Sequence, residues 1–193
     1  MYNYKLTLQY DGTRYAGWQI QENALSIQEE IKNSIEQIIR ENINLIGAGR
    51  TDAGVHALGQ VANFKSEKNL EAHKLKYSLN SVLPDDISVA AIENVDEEFH
   101  ARFSAKRRSY IYLISKSKSP FYDRYSHSYY SELDPEKLNQ ISDKLRGTID
   151  FSSFRAGMIT RVSGWQSLLP QKQENLLNFH FYRIWDVPYH RPT

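Results

Sequence analysis

Cysteine is absent from this chain. No disulfide framework, thiol nucleophile or thiolate metal centre can therefore be built from it. An excess of one charge is missing too: 24 Lys and Arg stand against 23 Asp and Glu, a formal net charge of +1. No global field draws such a chain to nucleic acid, so any basic surface has to be local. There is no long apolar run, and the opening MYNYKLTLQYDG has neither a charged n-region nor an apolar h-region. Neither a membrane-spanning helix nor a secretory leader is expected, and the cytoplasm is the expected setting. What is present, 193 residues of which 40% are hydrophobic and 24% charged, suffices for one large or two small domains with real cores.

The apolar residues follow two periods. Tyr4, Leu6, Leu8 and Tyr10 alternate with Lys5, Thr7 and Gln9, which predicts a half-buried strand turned by Asp11-Gly12. Thr13 to Gln19 is aromatic and polar without periodicity and reads as a loop, with Trp18 as an anchor buried beneath it. Ser26 and Glu29 form a capping box, and Ile27, Ile31, Ile35, Ile38 and Ile39 line one face of the helix that follows. Strands are expected over Ile43–Ala48, Gly59–Phe64 and Ile87–Ile92, with a second helix through Leu75, Leu79 and Val82 closing at Pro84-Asp85-Asp86. Strand, helix, strand, strand, helix, strand is the split βαβ order of an RRM-like unit, here ending near Ser104.

Beyond that boundary, Asp134 as N-cap, Pro135, Leu138, Ile141, Leu145 and the closing Gly147 predict a further helix. Residues 158 to 193 differ in character. They contain only Glu174 and Asp186 as acids and follow neither period.

Two stretches carry chemistry. The first is Gly47-Ala48-Gly49-Arg50-Thr51-Asp52-Ala53-Gly54-Val55-His56-Ala57, a glycine-rich loop between strands with an acid in it. Its plain alternative is a surface turn in which Asp52 bonds its own backbone and Gly54 supplies a left-handed position. No Cys, His or acid stands at ligand spacing around His56, so local packing or a phosphate contact is expected of it rather than a metal. The order GxxxxGK[ST] of a nucleotide cradle is also missing. The second stretch, Phe99 to Tyr112, interleaves Arg102, Lys106, Arg107 and Arg108 with four rings. Such a mixture suits a surface that holds phosphates while stacking bases, and equally a solvated basic linker feeding a strand.

The string GAGRTDAGVHA, followed by Gly59-Gln60-Val61, resembles the signature loop of the tRNA pseudouridine synthase A (TruA) family. Thr13 to Gln19, the phrase FHARFSA with its basic turn and Tyr110-x-Tyr112-x-Ile114, and Asp150 to Ala156 resemble further blocks of that family in the expected order. The resemblance covers roughly residues 4 to 157.

The resemblance implies an α+β pseudouridine synthase fold: RRM-like split βαβ units with a mainly antiparallel mixed sheet flanked by helices, here with an incomplete second half. The expected domains are 1–104, which carries the loop, 105–157, the start of a second α+β domain, and 158–193, an atypical tail. It further implies isomerisation of uridine to pseudouridine in the tRNA anticodon stem-loop without a cofactor. Asp52 is the implied catalytic carboxylate; Arg50 fills the gap left by the extruded uridine and Tyr110 faces its base. Whether the carboxylate attacks the sugar, attacks the uracil ring or stabilises a cationic sugar stays open. Arg14, Trp18, Gln19, His56, Arg102, Lys106, Arg107 and Arg108 are the implied RNA contacts. The implied partners are tRNA and, if the second half folds, a second copy of the chain; no membrane is involved.

The family continues into F-L-x-H-M-V-R, whose basic residue pairs with the catalytic aspartate, and that string does not occur here. A truncated, inactive RNA-binding module of the same fold is therefore the alternative expectation. A glycosidase built on Asp52 is a third, without an identifiable second carboxylate. Codons exist that make Gly157 to Val162 and His180 to Trp185 spell Asp-Asp-Tyr-Lys-Ser and Phe-Leu-Ser-His-Met two bases later. Residues from about 157 on are accordingly expected to be out of frame.

Overall fold

A computed structural model describes residues 1–144, 171–172 and 179–188, the last two stretches as backbone only. The chain divides into two compact units, Met1–Ala105 and Lys106–Thr193. No helix among the described residues is long and apolar enough to cross a membrane.

In the first unit, β1 (Tyr2–Tyr10), α1 (Ile27–Ile39), β2 (Ile46–Gly47), β3 (Ala57–Ser66), α2 (Ala72–Val82) and β4 (Ile87–Val95) follow one another as the periods predict. The sheet order is β2-β3-β1-β4, and every neighbouring pair is antiparallel. Alternation in β1 puts Tyr4, Leu6, Leu8 and Tyr10 on the face that meets Ile27, Ile31, Ile35 and Ile39 of α1 and Leu75 and Leu79 of α2. Tyr4 stacks on Phe64 of β3 with ring centroids 5.4 Å apart. The cap of α1 is as expected at its first half, with Ser26 Oγ accepting from Glu29 N–H at 3.3 Å.

Strand β2 is shorter than its apolar run. The expected strand Ile43–Ala48 shrinks to Ile46–Gly47 because side chains of α1 take the backbone groups a ladder would use. Ile43 N–H donates to Glu36 Oε1 at 2.9 Å, and Leu45 C=O accepts from Gln28 Nε2 at 2.8 Å. Ile43 and Leu45 stay buried as core residues all the same. Within the expected loop after β1, residues Gly12–Arg14 form a single 3-10 turn, capped by Asp11 accepting from Thr13 N–H.

The other face of the sheet is tied down by asparagines. Asn63 Nδ2 donates to Asn3 Oδ1 at 3.0 Å, its Oδ1 accepts from Ala101 N–H at 2.8 Å, and Asn3 Nδ2 reaches the carbonyls of Asp96 and Phe99. Both asparagines are buried, and these bonds fasten the segment that leads out of the unit.

The second unit has its own sheet, in the order β6-β5-β8-β7, built from β5 (Arg107–Ser115), β6 (His127–Ser128), β7 (Gln171–Lys172) and β8 (Phe179–Pro188). β5 pairs antiparallel with β8 and parallel with β6. α3 spans Pro135–Lys144, with Asp134 Oδ1 accepting from Glu136 and Lys137 N–H, and its expected continuation to Leu145 and Gly147 lies outside the described residues. So does the block Asp150 to Ala156.

Candidate active site

The glycine-rich loop occupies residues 48–56, between the ends of β2 and β3, and it rests on the segment that leaves β1. Thr51 is its main point of attachment. Its hydroxyl lies 3.0 Å from the Tyr10 hydroxyl, and its carbonyl accepts from Trp18 N–H at 3.0 Å. Gly54 N–H donates to the Tyr15 carbonyl at 3.2 Å. At the two ends of the loop, Ala48 N–H donates to Val61 C=O at 2.7 Å and Gln60 Nε2 to Gly49 C=O at 2.8 Å.

This docking needs backbone-to-backbone approach. A Cβ on Gly17, which has φ of +100°, would lie 2.4 Å from the Thr51 oxygen, and one on Gly12 would lie 2.1 Å from the Val55 oxygen. Neither position has room for a side chain. Gly54 differs: its φ of +78° supplies the left-handed position of a turn closed by Val55 N–H on Asp52 C=O at 3.2 Å, with open space around it. Trp18 is the anchor beneath all this. It is 3% exposed and packs under Gly47, with its ring 6.3 Å from that of Tyr10.

With its backbone so held, the loop turns Arg50 and Asp52 outward, and both are exposed. Among the described residues neither side chain has a hydrogen bond or ion pair. An exposed carboxylate and guanidinium on a rigid support can receive a ligand without first breaking a bond to the protein.

His56 has the acid that its sequence neighbours do not provide. Its Nδ1 lies 3.0 Å from Asp11 Oδ1 and 3.1 Å from Gly12 N–H. One nitrogen cannot serve both in one state: accepting from Gly12 leaves the proton on Nε2, whereas a proton on Nδ1 would turn it to Asp11. Among the described residues no group of three His, Cys, Asp or Glu side chains could hold a metal ion.

Arg14 is exposed but committed. Its Nε donates to Asp86 Oδ2 at 2.7 Å, with Nη2 at 2.6 Å from the same oxygen, and this pairing raises its pKa. Gln19 is exposed nearby in sequence. Arg102 lies over the Phe103 ring at 5.7 Å, and Phe103 in turn meets His100 at a 4.3 Å centroid distance. Lys106, Arg107, Arg108 and Tyr110 belong to the second unit. There Tyr110 is 51% exposed on β5, at an irregularity where the register passes from Ser109↔Asp186 to Ile111↔Arg183. Two residues of β8 thus face Tyr110, the count of a bulge.

The loop therefore gathers Arg50, Asp52 and His56 on one support, with Trp18 as part of that support. Sequence reading missed Tyr10, Tyr15 and Asp86 as members of it. Their signals were the last apolar position of an alternating strand for Tyr10, an aromatic, aperiodic stretch for Tyr15 and an Asp pair at a helix end for Asp86, none of which names a partner.

A family model for tRNA pseudouridine synthase matches residues 7–104. A "tRNA pseudouridine synthase A" of a Thermoanaerobacter species is 44% identical over 183 residues, covering 92% of this chain and 75% of the relative. The chain belongs to the tRNA pseudouridine synthase family. Its class of enzyme is accordingly an RNA pseudouridine synthase, an isomerase. It is also 44% identical over 157 residues to a "tRNA pseudouridine synthase A 2" of Bacillus cereus, covering 80% of this chain and 64% of that one. With the "tRNA pseudouridine synthase A" of Thermodesulfovibrio yellowstonii it shares 46% identity over 156 residues, 80% of this chain and 61% of the relative. A match over 92% of the chain cannot fit within residues 1–157, so the Thermoanaerobacter match takes in residues past that point.

Proposed function

We propose that this protein converts uridine to pseudouridine in the anticodon stem-loop of tRNA, with Asp52 as the catalytic carboxylate. The observation that supports it best is the presentation of Asp52 and Arg50: outward-facing side chains on a loop whose backbone is fastened at Thr51 and Gly54. The reaction breaks the N1–C1′ bond of uridine, turns the uracil and joins C5 to C1′. The proton lost from C5 is balanced by one gained at N1, so no redox or group-transfer cofactor is required. An ionised Asp52 either forms a transient bond to the sugar or the ring or stabilises a cationic sugar.

The uridine reaches Asp52 only after leaving its stack, at a cost of a few kcal/mol. Arg50 occupies the vacated space, and Tyr110 faces the extruded base. Arg102, Lys106, Arg107 and Arg108 hold phosphates, and His56, Gln19 and Nη1 of Arg14 contribute polar contacts. Trp18, being buried, serves the RNA through the loop it carries. The enzyme works in the cytoplasm, as a dimer of two copies across one tRNA.

A second reading, an RNA-binding module that no longer catalyses, draws on one observation: no cation pairs with Asp52 among the described residues. Product analysis separates the readings. Incubation with an unmodified tRNA transcript is expected to yield pseudouridine at anticodon-stem positions with no free uracil. Free uracil would mark a glycosidase, and bound but unchanged RNA would mark the module.

A further inference from the structure

Asp86 stands at the turn between α2 and β4, 71 residues from Tyr15 in sequence, yet its two carboxylate oxygens meet the segment beneath the Asp52 loop. Oδ1 accepts from the Tyr15 hydroxyl at 2.6 Å, and Oδ2 accepts from Arg14 Nε at 2.7 Å. The backbone repeats the tie, since Asp11 N–H donates to Asp86 C=O at 2.9 Å. The turn that carries Asp86 is itself closed by Ile87 N–H on Pro84 C=O at 2.9 Å. Asp86 therefore holds Tyr15 by its hydroxyl, and Tyr15 holds the loop through its carbonyl, which accepts from Gly54 N–H at 3.2 Å.

We propose that Asp86 is a positioning residue for Asp52, acting through Tyr15, with Arg14 as the counter-charge that lets its carboxylate sit there. This rests on the reading of Asp52 as the catalytic carboxylate. The Asp86 side chain is 16% exposed and Tyr15 is 3% exposed, so the hydroxyl bond is shielded from water, while the Arg14 partner, at 63%, is not. A solvent-facing ion pair alone contributes little; the shielded hydroxyl bond is the part that transmits position. Burial first, and the bond to Asp86 second, raise the Tyr15 pKa, so the hydroxyl remains a donor at every ordinary pH. The Arg14 guanidinium lies 6.0 Å from the centre of the Tyr15 ring, a contact without direction, whereas the bond to Asp86 fixes where the hydroxyl points. A ring released from it leaves the Tyr15 carbonyl, hence Gly54 two residues after Asp52, less firmly placed.

The test uses the full chain and amide hydrogen exchange at single residues. Tyr15→Phe deletes only the hydroxyl, Asp86→Ala deletes both acceptors, and Asp86→Asn keeps an oxygen for Tyr15 while giving up the charge facing Arg14. Exchange at the Gly54 and Trp18 amides is expected to rise about tenfold in Tyr15→Phe and Asp86→Ala, the loss of about one hydrogen bond. In Asp86→Asn it is expected to return most of the way to the native rate. Amides inside β1 and β3, such as those of Leu6 and Ala62, should be unchanged. Native exchange at Gly54 in Tyr15→Phe, an Asn variant as fast as the Ala variant, or an equal rise across β1 and β3 would each overturn the proposal. The exchange readout does not depend on turnover. If Asp52→Ala still made pseudouridine while Gly54 responded as described, the reading of Asp52 would fall and the tie through Asp86 would remain.

Discussion

Replacing Gly17 by alanine tests the docking of the loop most sharply, because two separable costs meet at that residue. The new Cβ would lie 2.4 Å from the Thr51 oxygen, where ordinary contact begins near 3.4 Å, so the loop must retreat by about 1 Å. The retreat stretches the 3.0 Å bond from Trp18 N–H to Thr51, a loss of about 1 kcal/mol. The φ of +100° adds about 1–2 kcal/mol of strain once a Cβ is present. Gly17→Ala is thus expected to cost about 2–3 kcal/mol in urea unfolding and, through the displacement of Asp52, about a hundredfold in turnover on a tRNA transcript. Gly54→Ala is the control. It has φ of +78° but no atom within 4 Å of its Cβ, so it should show the strain cost of about 1–2 kcal/mol without the displacement. Equal loss of turnover in the two variants, or a Gly17→Ala protein with native stability, would show that the loop does not dock through Gly17.

Other perturbations probe other parts of the molecule. Burial raises the pKa of Tyr15 and, against hydrogen bonds from Thr51 and Gln60, that of Tyr10. The folded chain keeps these protons when the unfolded chain starts to lose them near 10.0, so stability is complete below that pH and falls as pH rises through it. Urea midpoints from about pH 8 to 11 should show this decline, and Tyr15→Phe should flatten it. Asn63→Ala strips two buried groups, Ala101 N–H and Asn3 Oδ1, of their partner. A loss of about 2–4 kcal/mol in thermal or urea unfolding is expected, and a near-neutral result would mean water replaces it. Lys106→Ala should weaken binding to any RNA and lower the salt slope by about 0.7–0.9, whereas Arg50→Ala should spare binding more than turnover. Equal behaviour of the two would remove the distinction between phosphate contact and base extrusion. Sequencing the gene addresses the tail: an out-of-frame origin predicts that one alternative frame spells both missing phrases, and their absence ends that idea.

The first unit was legible because its apolar residues keep strict time. Tyr4 to Tyr10 could bury one face only as a strand, and the isoleucines of α1 only as a helix. Strand β2 is shorter than its apolar run implies because such a run does not reveal that Glu36 and Gln28 claim its backbone groups. The loop itself was legible from its glycines and its acid. Its support was not, since Trp18 N–H on Thr51 C=O and Gly54 N–H on Tyr15 C=O are backbone contacts that leave no side-chain pattern. Side-chain contacts across long separations were invisible for another reason: His56 meets Asp11 and Tyr15 meets Asp86 only once the fold has brought distant segments together.

The central claim is that the Asp52 carboxylate carries the chemistry. Pseudouridine formed in an unmodified tRNA transcript, measured beside RNA binding for the native chain, Asp52→Asn and Asp52→Ala, tests it directly. Pseudouridine is expected from the native chain and none from either variant, with binding within about threefold of native for both, because a catalytic Asp52 contributes to the transition state rather than to RNA affinity. Pseudouridine made by either variant at the native rate would contradict it.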